Sequence, residues 1–150
     1  MKQWNVYLSG EIHSDWREQI KIQVSSQNLP IVFTSPVTDH ELSDNCGAII
    51  LGSENDKFWH DHKGAKINTI RTKTAILNAD IVIVRFGDKY KQWNAAFDAG
   101  YATALMKPLV IIHQDEHQHA LKEIDAVALA VTKNVDEVSK ILQYTIEGKI

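Results

Sequence analysis

Residues 80–112 read DIVIVRFGDKYKQWNAAFDAGYATALMKPLVII, and few folds can accommodate such a stretch. Ile81, Val82, Ile83 and Val84 form an unbroken β-branched run. It is too short for a helix and too apolar for an edge strand, so it predicts a strand covered on both faces, as in parallel sheets. Gly87 and Asp88 mark a turn. From 92 to 105 the chain is rich in alanine and sets Ala95, Asp98, Ala99, Ala102 and Leu105 at helical spacings, until Lys107 and Pro108 stop the helix and a second apolar run, 109–112, begins. The stretch is therefore one βαβ unit. Asp98 is its anomaly: alanines on either side imply close helix packing, and a carboxylate there must find partners or face a cleft.

The rest of the chain repeats the alternation. Residues 4–9 (WNVYLS) predict the first strand, with Gly10 turning the chain sharply and Ser14 or Asp15 capping a helix that points Ile20, Ile22 and Val24 inward. A shorter strand is expected at 30–34, ended by Pro36. Residues 37–63 show little periodicity and many polar groups, which suggests a long functional loop or lid. A helix at 65–78 should bury Ile67, Ile70, Thr74 and Leu77. Beyond 112 a polar loop and short helix precede a fifth strand at 126–131 and a last helix. That helix is capped by Asn134 or Thr132, buries Val135, Val138, Ile141 and Leu142, and stops at Gly148. Five strands alternating with helices predict a single α/β domain over 1–150: a doubly wound parallel sheet of order 2-1-3-4-5 between two helix layers. Its switch point, between strands one and three, brings residues 10–15, 85–94 and the start of the Ala-rich helix to one crevice.

Composition narrows the ligand. A net charge of −3 with scattered Lys and Arg disfavours nucleic acid and membrane surfaces and favours a small molecule. The N-terminus lacks the pattern of an export leader, nowhere do about 18 apolar residues run together, and Cys46 alone cannot close an internal disulfide; all three fit a cytoplasmic protein. As a lone cysteine, Cys46 reads as a small buried hydrophobe rather than a nucleophile. There is no GxxxxGK[ST] and no GxGxxG, so ATP and NAD are not expected, nor any other cofactor. His60, Asp61 and His62 with His40 and Asp39, or His113, His117 and His119, match no zinc spacing on a helix; no metal is expected.

The crevice offers carboxylates and rings. Asp98 and Asp88 are the two usable carboxylates of the 80–107 segment, one suited to nucleophile or base, the other to acid or sugar binding; Glu11 and Asp15 add two more. Tyr7, Tyr90, Trp93, Phe97 and Tyr101 could stack against a planar base. Residues 10–15, with Gly10, Glu11, His13 and Asp15, would form one wall, and Asn94 stands at the opening of the Ala-rich helix.

Four stretches, YLSGEIHSDWRE (7–18), DHKGAKINTIRTKTAILNAD (61–80), FGDKYKQWNAAFDAGYATALMKPLVII (86–112) and LKEIDAVALAV (121–131), resemble the nucleoside 2-deoxyribosyltransferase superfamily, and within it the YtoQ-type branch. That resemblance implies a flavodoxin-like fold and an enzyme that cleaves the N-glycosidic bond of (deoxy)nucleosides. It sets Asp98 where the superfamily has a glutamate that attacks the anomeric carbon, Asp88 or Asn94 at the sugar-binding aspartate, and Tyr7 at the aromatic beside the sugar. Aspartate is one methylene shorter, which withdraws the carboxylate by roughly 1.5 Å. Superfamily members often share active sites between subunits, so a homo-oligomer is expected. Two other readings compete: a nucleoside-binding module without catalysis, and a nucleotide hydrolase using Lys89, Lys91, Arg71 and His13 to hold phosphate.

Overall fold

The computed structural model describes residues 2–150. Five parallel strands, β1 (Trp4–Gly10), β2 (Ile31–Thr34), β3 (Ile81–Arg85), β4 (Leu109–Ile112) and β5 (Ala130–Thr132), lie in the order β2-β1-β3-β4-β5. Order and direction are those expected from the alternation of buried runs and helices. Among the described residues no helix is long and apolar enough to cross a membrane.

The period of two along each strand divides the core. Val6 and Leu8 of β1, with Ile81 and Ile83 of β3 and Val110 and Ile112 of β4, face α1 (Trp16–Ser26) and α6 (Val135–Glu147), where Trp16, Ile20, Val24, Val138 and Leu142 meet them. Tyr7, Val82, Val84 and Ile111 point the other way, onto Ile76 of α3 (Lys57–Asn78) and Ala95, Ala99 and Ala102 of α4 (Trp93–Ala104). Burying one such Ile or Leu contributes about 1.5–3 kcal/mol. Alanine on α4 lets the helix lie close to the sheet. The same alternation puts Ser9 on the α4 side, two residues beyond Tyr7.

Four expectations change. Ile22 is 68% exposed, because Trp16, Ile20 and Val24 recur every four residues and Ile22 falls on the opposite side of α1. Residues 37–63 are a helical hairpin rather than a loop: α2 (His40–Leu51) leads into α3, which begins at Lys57, eight residues before the expected 65. The overlooked signals are two N-caps, Asp39 accepting from Leu42 N–H at 2.9 Å and Asp56 from Phe58 N–H at 2.8 Å. The apolar stripe of α3 points outward: Ile70 and Leu77 are exposed, and Gly64 and Ile76 are the buried positions. Polar residues occupy much of the inward face because it borders a cleft. Finally, Ala126 and Val127 end a short helix, α5 (Lys122–Val127), and β5 starts only at Ala130, in keeping with the weak strand preference of alanine. The last helix is capped as read, Asn134 accepting from Glu137 N–H at 3.0 Å and Gly148 closing it in the left-handed region.

Candidate active site

Beyond the ends of β1 and β3 lies a cleft of about 870 Å³. Its floor is Ser9 and Gly10, one wall is the α2–α3 hairpin, and the other is the segment from Tyr90 into the first turns of α4. Parallel strands aim their carboxyl ends here, at the reversal of strand order.

The turn after β1 is fixed by what surrounds it. Gly10 has φ 111°, and a Cβ there would stand 2.0 Å from the Arg85 carbonyl oxygen, so no other residue fits without moving β3. Arg17, nearly buried, reaches back from α1 and donates to the carbonyls of Leu8 (3.0 Å), Gly10 (3.1 Å) and Glu11 (2.7 Å) while lying over the Trp16 ring. Burial lowers its pKa to about 10. Glu11 folds under the turn: its carboxylate accepts from His13 N–H at 2.7 Å, Ser14 N–H at 3.2 Å and the Ser14 hydroxyl, and faces Arg85 Nε at 3.2 Å. Burial alone would push the Glu11 carboxyl up; the Ser14, His13 and Arg85 contacts outweigh it and hold the pKa below its ordinary value. Glu11 is thereby committed to the turn, and Asp15, read as a cap or a crevice acid, holds the N-cap position of α1 but is not a crevice acid. It makes no side-chain cap bond, accepts from Gln19 Nε2 at 2.7 Å, and lies on the solvent side, outside the cleft lining.

Asp98 reaches the cleft. Its side chain comes off the buried face of α4 with 8% of the residue exposed, and Oδ2 accepts a hydrogen bond from the Ser9 hydroxyl at 2.5 Å. Burial raises its pKa, opposed by the Ser9 contact. Beneath the floor lies Tyr7, which has no exposed surface. It does not line the cleft, contrary to a direct stacking role, yet its hydroxyl has no hydrogen-bond partner. Thr72 is its polar neighbour: it donates its own hydroxyl to the Asn68 carbonyl at 2.6 Å, and its oxygen remains able to accept from Tyr7. Burial first, and then the charge of Asp98, push the Tyr7 pKa upward.

Asp88 lies elsewhere. It lines a smaller recess of about 190 Å³ and faces His117 Nε2 at 3.1 Å, so it does not share the cleft with Asp98. The reason is local: the loop after β3 carries Asp88 toward the residues following β4, while α4 carries Asp98 back over β1. Asp88, Glu116 and His117 bring potential ligand atoms within 4.8 Å of one another at the surface, a grouping that no local spacing discloses because it joins two loops. His113, one of the histidines considered for zinc, instead pairs with Asp125 at 3.0 Å.

His13, Tyr90, Trp93 and Asn94 all line the cleft, as does Gly10. The His13 and Tyr90 rings sit 4.7 Å apart at its rim, and Trp93 is 76% exposed beside them. Sequence reasoning missed Ser9 as the partner of Asp98, for which the alternation with Tyr7 was the available signal. It also missed Arg17 as the clamp and the α3 residues Lys57, Asn68, Thr72 and Lys73, whose periodicity was masked by an outward apolar stripe.

Comparison with known proteins places the chain in a family and a fold group. The family model described as nucleoside 2-deoxyribosyltransferase YtoQ matches residues 7–146. The YtoQ protein of Bacillus subtilis strain 168 is 46% identical over 142 residues, covering 95% of this chain and 96% of that one. Among solved structures, a conserved protein of Enterococcus faecalis V583 superposes with TM-score 0.66 at 13% identity, covering 96% and 99% of the two chains. A 2-deoxyribosyltransferase of Bacillus psychrosaccharolyticus gives 0.52 at 19%, covering 90% of each. The Clostridium botulinum CMP N-glycosidase BcmB gives 0.51 at 12%, covering 94% and 98%. At such identities these structures speak for the fold, whereas the family model and the Bacillus subtilis relative speak for descent: the chain belongs to the YtoQ family of nucleoside 2-deoxyribosyltransferases.

Proposed function

We propose that the chain cleaves the N-glycosidic bond of a (deoxy)nucleoside and passes the sugar to a second base or to water, with Asp98 as nucleophile. The observation that carries this reading is the placement of Asp98: a buried carboxylate, held by one short bond from Ser9, at the floor of a cleft with aromatic rims. Family membership and the activities named for two structural neighbours support the reaction class. In the first step an Asp98 oxygen bonds the anomeric carbon as the carbon–nitrogen bond breaks. The electron pair leaves with the base, which takes up a proton. In the second, an acceptor nitrogen or a water oxygen attacks the same carbon, gives up its proton and frees Asp98. Asp88 lines the neighbouring recess and pairs with His117, so the proton for the leaving base is assigned to groups that line the cleft itself, Asp44, Asp61 or His13. Tyr90 and Trp93 flank the base.

The test is base exchange and base release from deoxynucleosides, with and without a free acceptor base. Asp98→Ala should lower turnover by at least about 1,000-fold. Because burial raises the Asp98 pKa and the nucleophile must be ionised, the acid limb of the rate profile should lie above the ordinary carboxylate value of 3.8. Turnover that persists in Asp98→Ala removes the residue from the chemistry, and ligand-induced stabilisation without product favours a binding module instead.

The reading includes a second copy of the chain as partner. Ile49, Ile50 and Leu51 at the end of α2 and Phe58, Trp59 and Ile70 on α3 are all more than half exposed, an apolar surface suited to association.

A further inference from the structure

The basic side chains of the cleft have no acidic partners. Lys57, Arg71, Lys73 and Lys91 all line it, and among the described residues none of them forms an ion pair. The cleft's acids are engaged otherwise: Glu11 faces Arg85, Asp44 stands beside His40 and Asp61 beside His60, and Asp98 is bonded to Ser9. All four are solvent-exposed, Lys73 lying over the Tyr101 ring, and together they give the cleft rim cationic groups that a neutral nucleoside would not use.

Arg71 is the best placed of them. Its Nε donates to the Ser35 carbonyl at 3.0 Å, just past the end of β2, which pins the guanidinium at the sheet edge toward which β1 delivers Gly10. The terminal nitrogens of the fork are left without partners among the described residues. Arg71 and Asp98 line the same cleft, and among the described residues no hydrogen bond or ion pair joins them. A nucleotide needs that separation, because its phosphate projects from the sugar carbon remote from the base. A planar fork held by one arm suits a phosphate better than a freely rotating ammonium does.

We propose that the cleft takes a nucleoside monophosphate in preference to the nucleoside, with Arg71 as its phosphate-binding residue and Lys57, Lys73 and Lys91 as supporting charges. The proposal rests on reading the cleft as a glycoside site, and extends it by one substituent of the substrate.

Calorimetric titration of the intact protein with the common deoxynucleosides and with their 5′-monophosphates tests it, at two salt concentrations. The expected result is a monophosphate bound at least about tenfold more tightly than its parent nucleoside, an advantage that shrinks at high salt. Arg71→Gln should remove most of that advantage, and Arg71→Lys should restore part of it. Equal affinities in the wild-type protein, or an Arg71→Gln variant weakened by the same factor toward both ligands, overturns the proposal. The wild-type comparison decides the matter even where the variants fold poorly. Base release followed in the same samples separates the two claims: a monophosphate preference without release leaves the phosphate site and removes the glycosidic reading, and release with equal affinities does the reverse.

Discussion

Tyr7 holds a buried hydroxyl that, among the described residues, makes no hydrogen bond of ordinary geometry, with Thr72 and Asp98 its polar neighbours. An unsatisfied buried hydroxyl costs about 1–3 kcal/mol, a penalty that a merely structural position would shed by becoming phenylalanine. Its persistence next to Asp98 fits a donor that waits for charge to move. On the proposed mechanism the Asp98 oxygens change character as the glycosyl bond forms and breaks, and Tyr7 would be a second donor beside Ser9. Tyr7→Phe should therefore leave the thermal midpoint unchanged or raise it, consistent with a gain of about 1 kcal/mol, while lowering base exchange by at least about tenfold. Melting curves and turnover measured on the same preparation check this. A variant that loses stability in step with activity would make Tyr7 an ordinary core residue.

At the scale of elements, the junction of β1 with α1 is the part least able to change. Gly10→Ala would force a Cβ to 2.0 Å from the Arg85 carbonyl oxygen in a backbone conformation that L residues seldom adopt, so β1 and β3 would have to separate. A destabilisation of about 3 kcal/mol or more is expected, read from denaturant unfolding, with loss of the cleft floor. Most of this architecture was legible beforehand. Buried β-branched runs at 81–84 and 109–112 dictated a parallel sheet, and Gly10 announced the turn. Illegible were features set by distant contacts: that Glu11 would be consumed by its own turn, that Asp88 would swing toward His117, and that α3 would turn its apolar stripe outward. Helical periodicity tells which residues share a face but not what that face meets. On α3 the inner face meets an open cleft, and the usual rule that apolar means inward fails there.

For the molecule as a whole, the outward face of α2 and α3 matters most. Of α2 only Gly47 is buried, and of α3 only Gly64 and Ile76. The two helices touch closely where a Cβ on Gly47 would come within 2.5 Å of Lys63 and Gly64, so the hairpin is tight within itself. Apolar side chains on its far side await cover. Sedimentation should find the wild-type protein as an oligomer, with Ile50→Glu or Trp59→Glu driving it toward monomers; a wild-type monomer at micromolar concentration would remove the surface from any assembly role. The cleft consequently has two unlike jaws. One is an anvil, with Arg17, Glu11 and the Gly10 contact locking the β1 turn against its neighbours. The other meets the sheet through Ile76 and Ala75 of α3 and is tied to the end of β2 by the Arg71 bond to the Ser35 carbonyl. A neighbouring subunit seated on the apolar back of the hairpin would then bear on the wall that faces the Gly10 turn, and so on the width of the mouth.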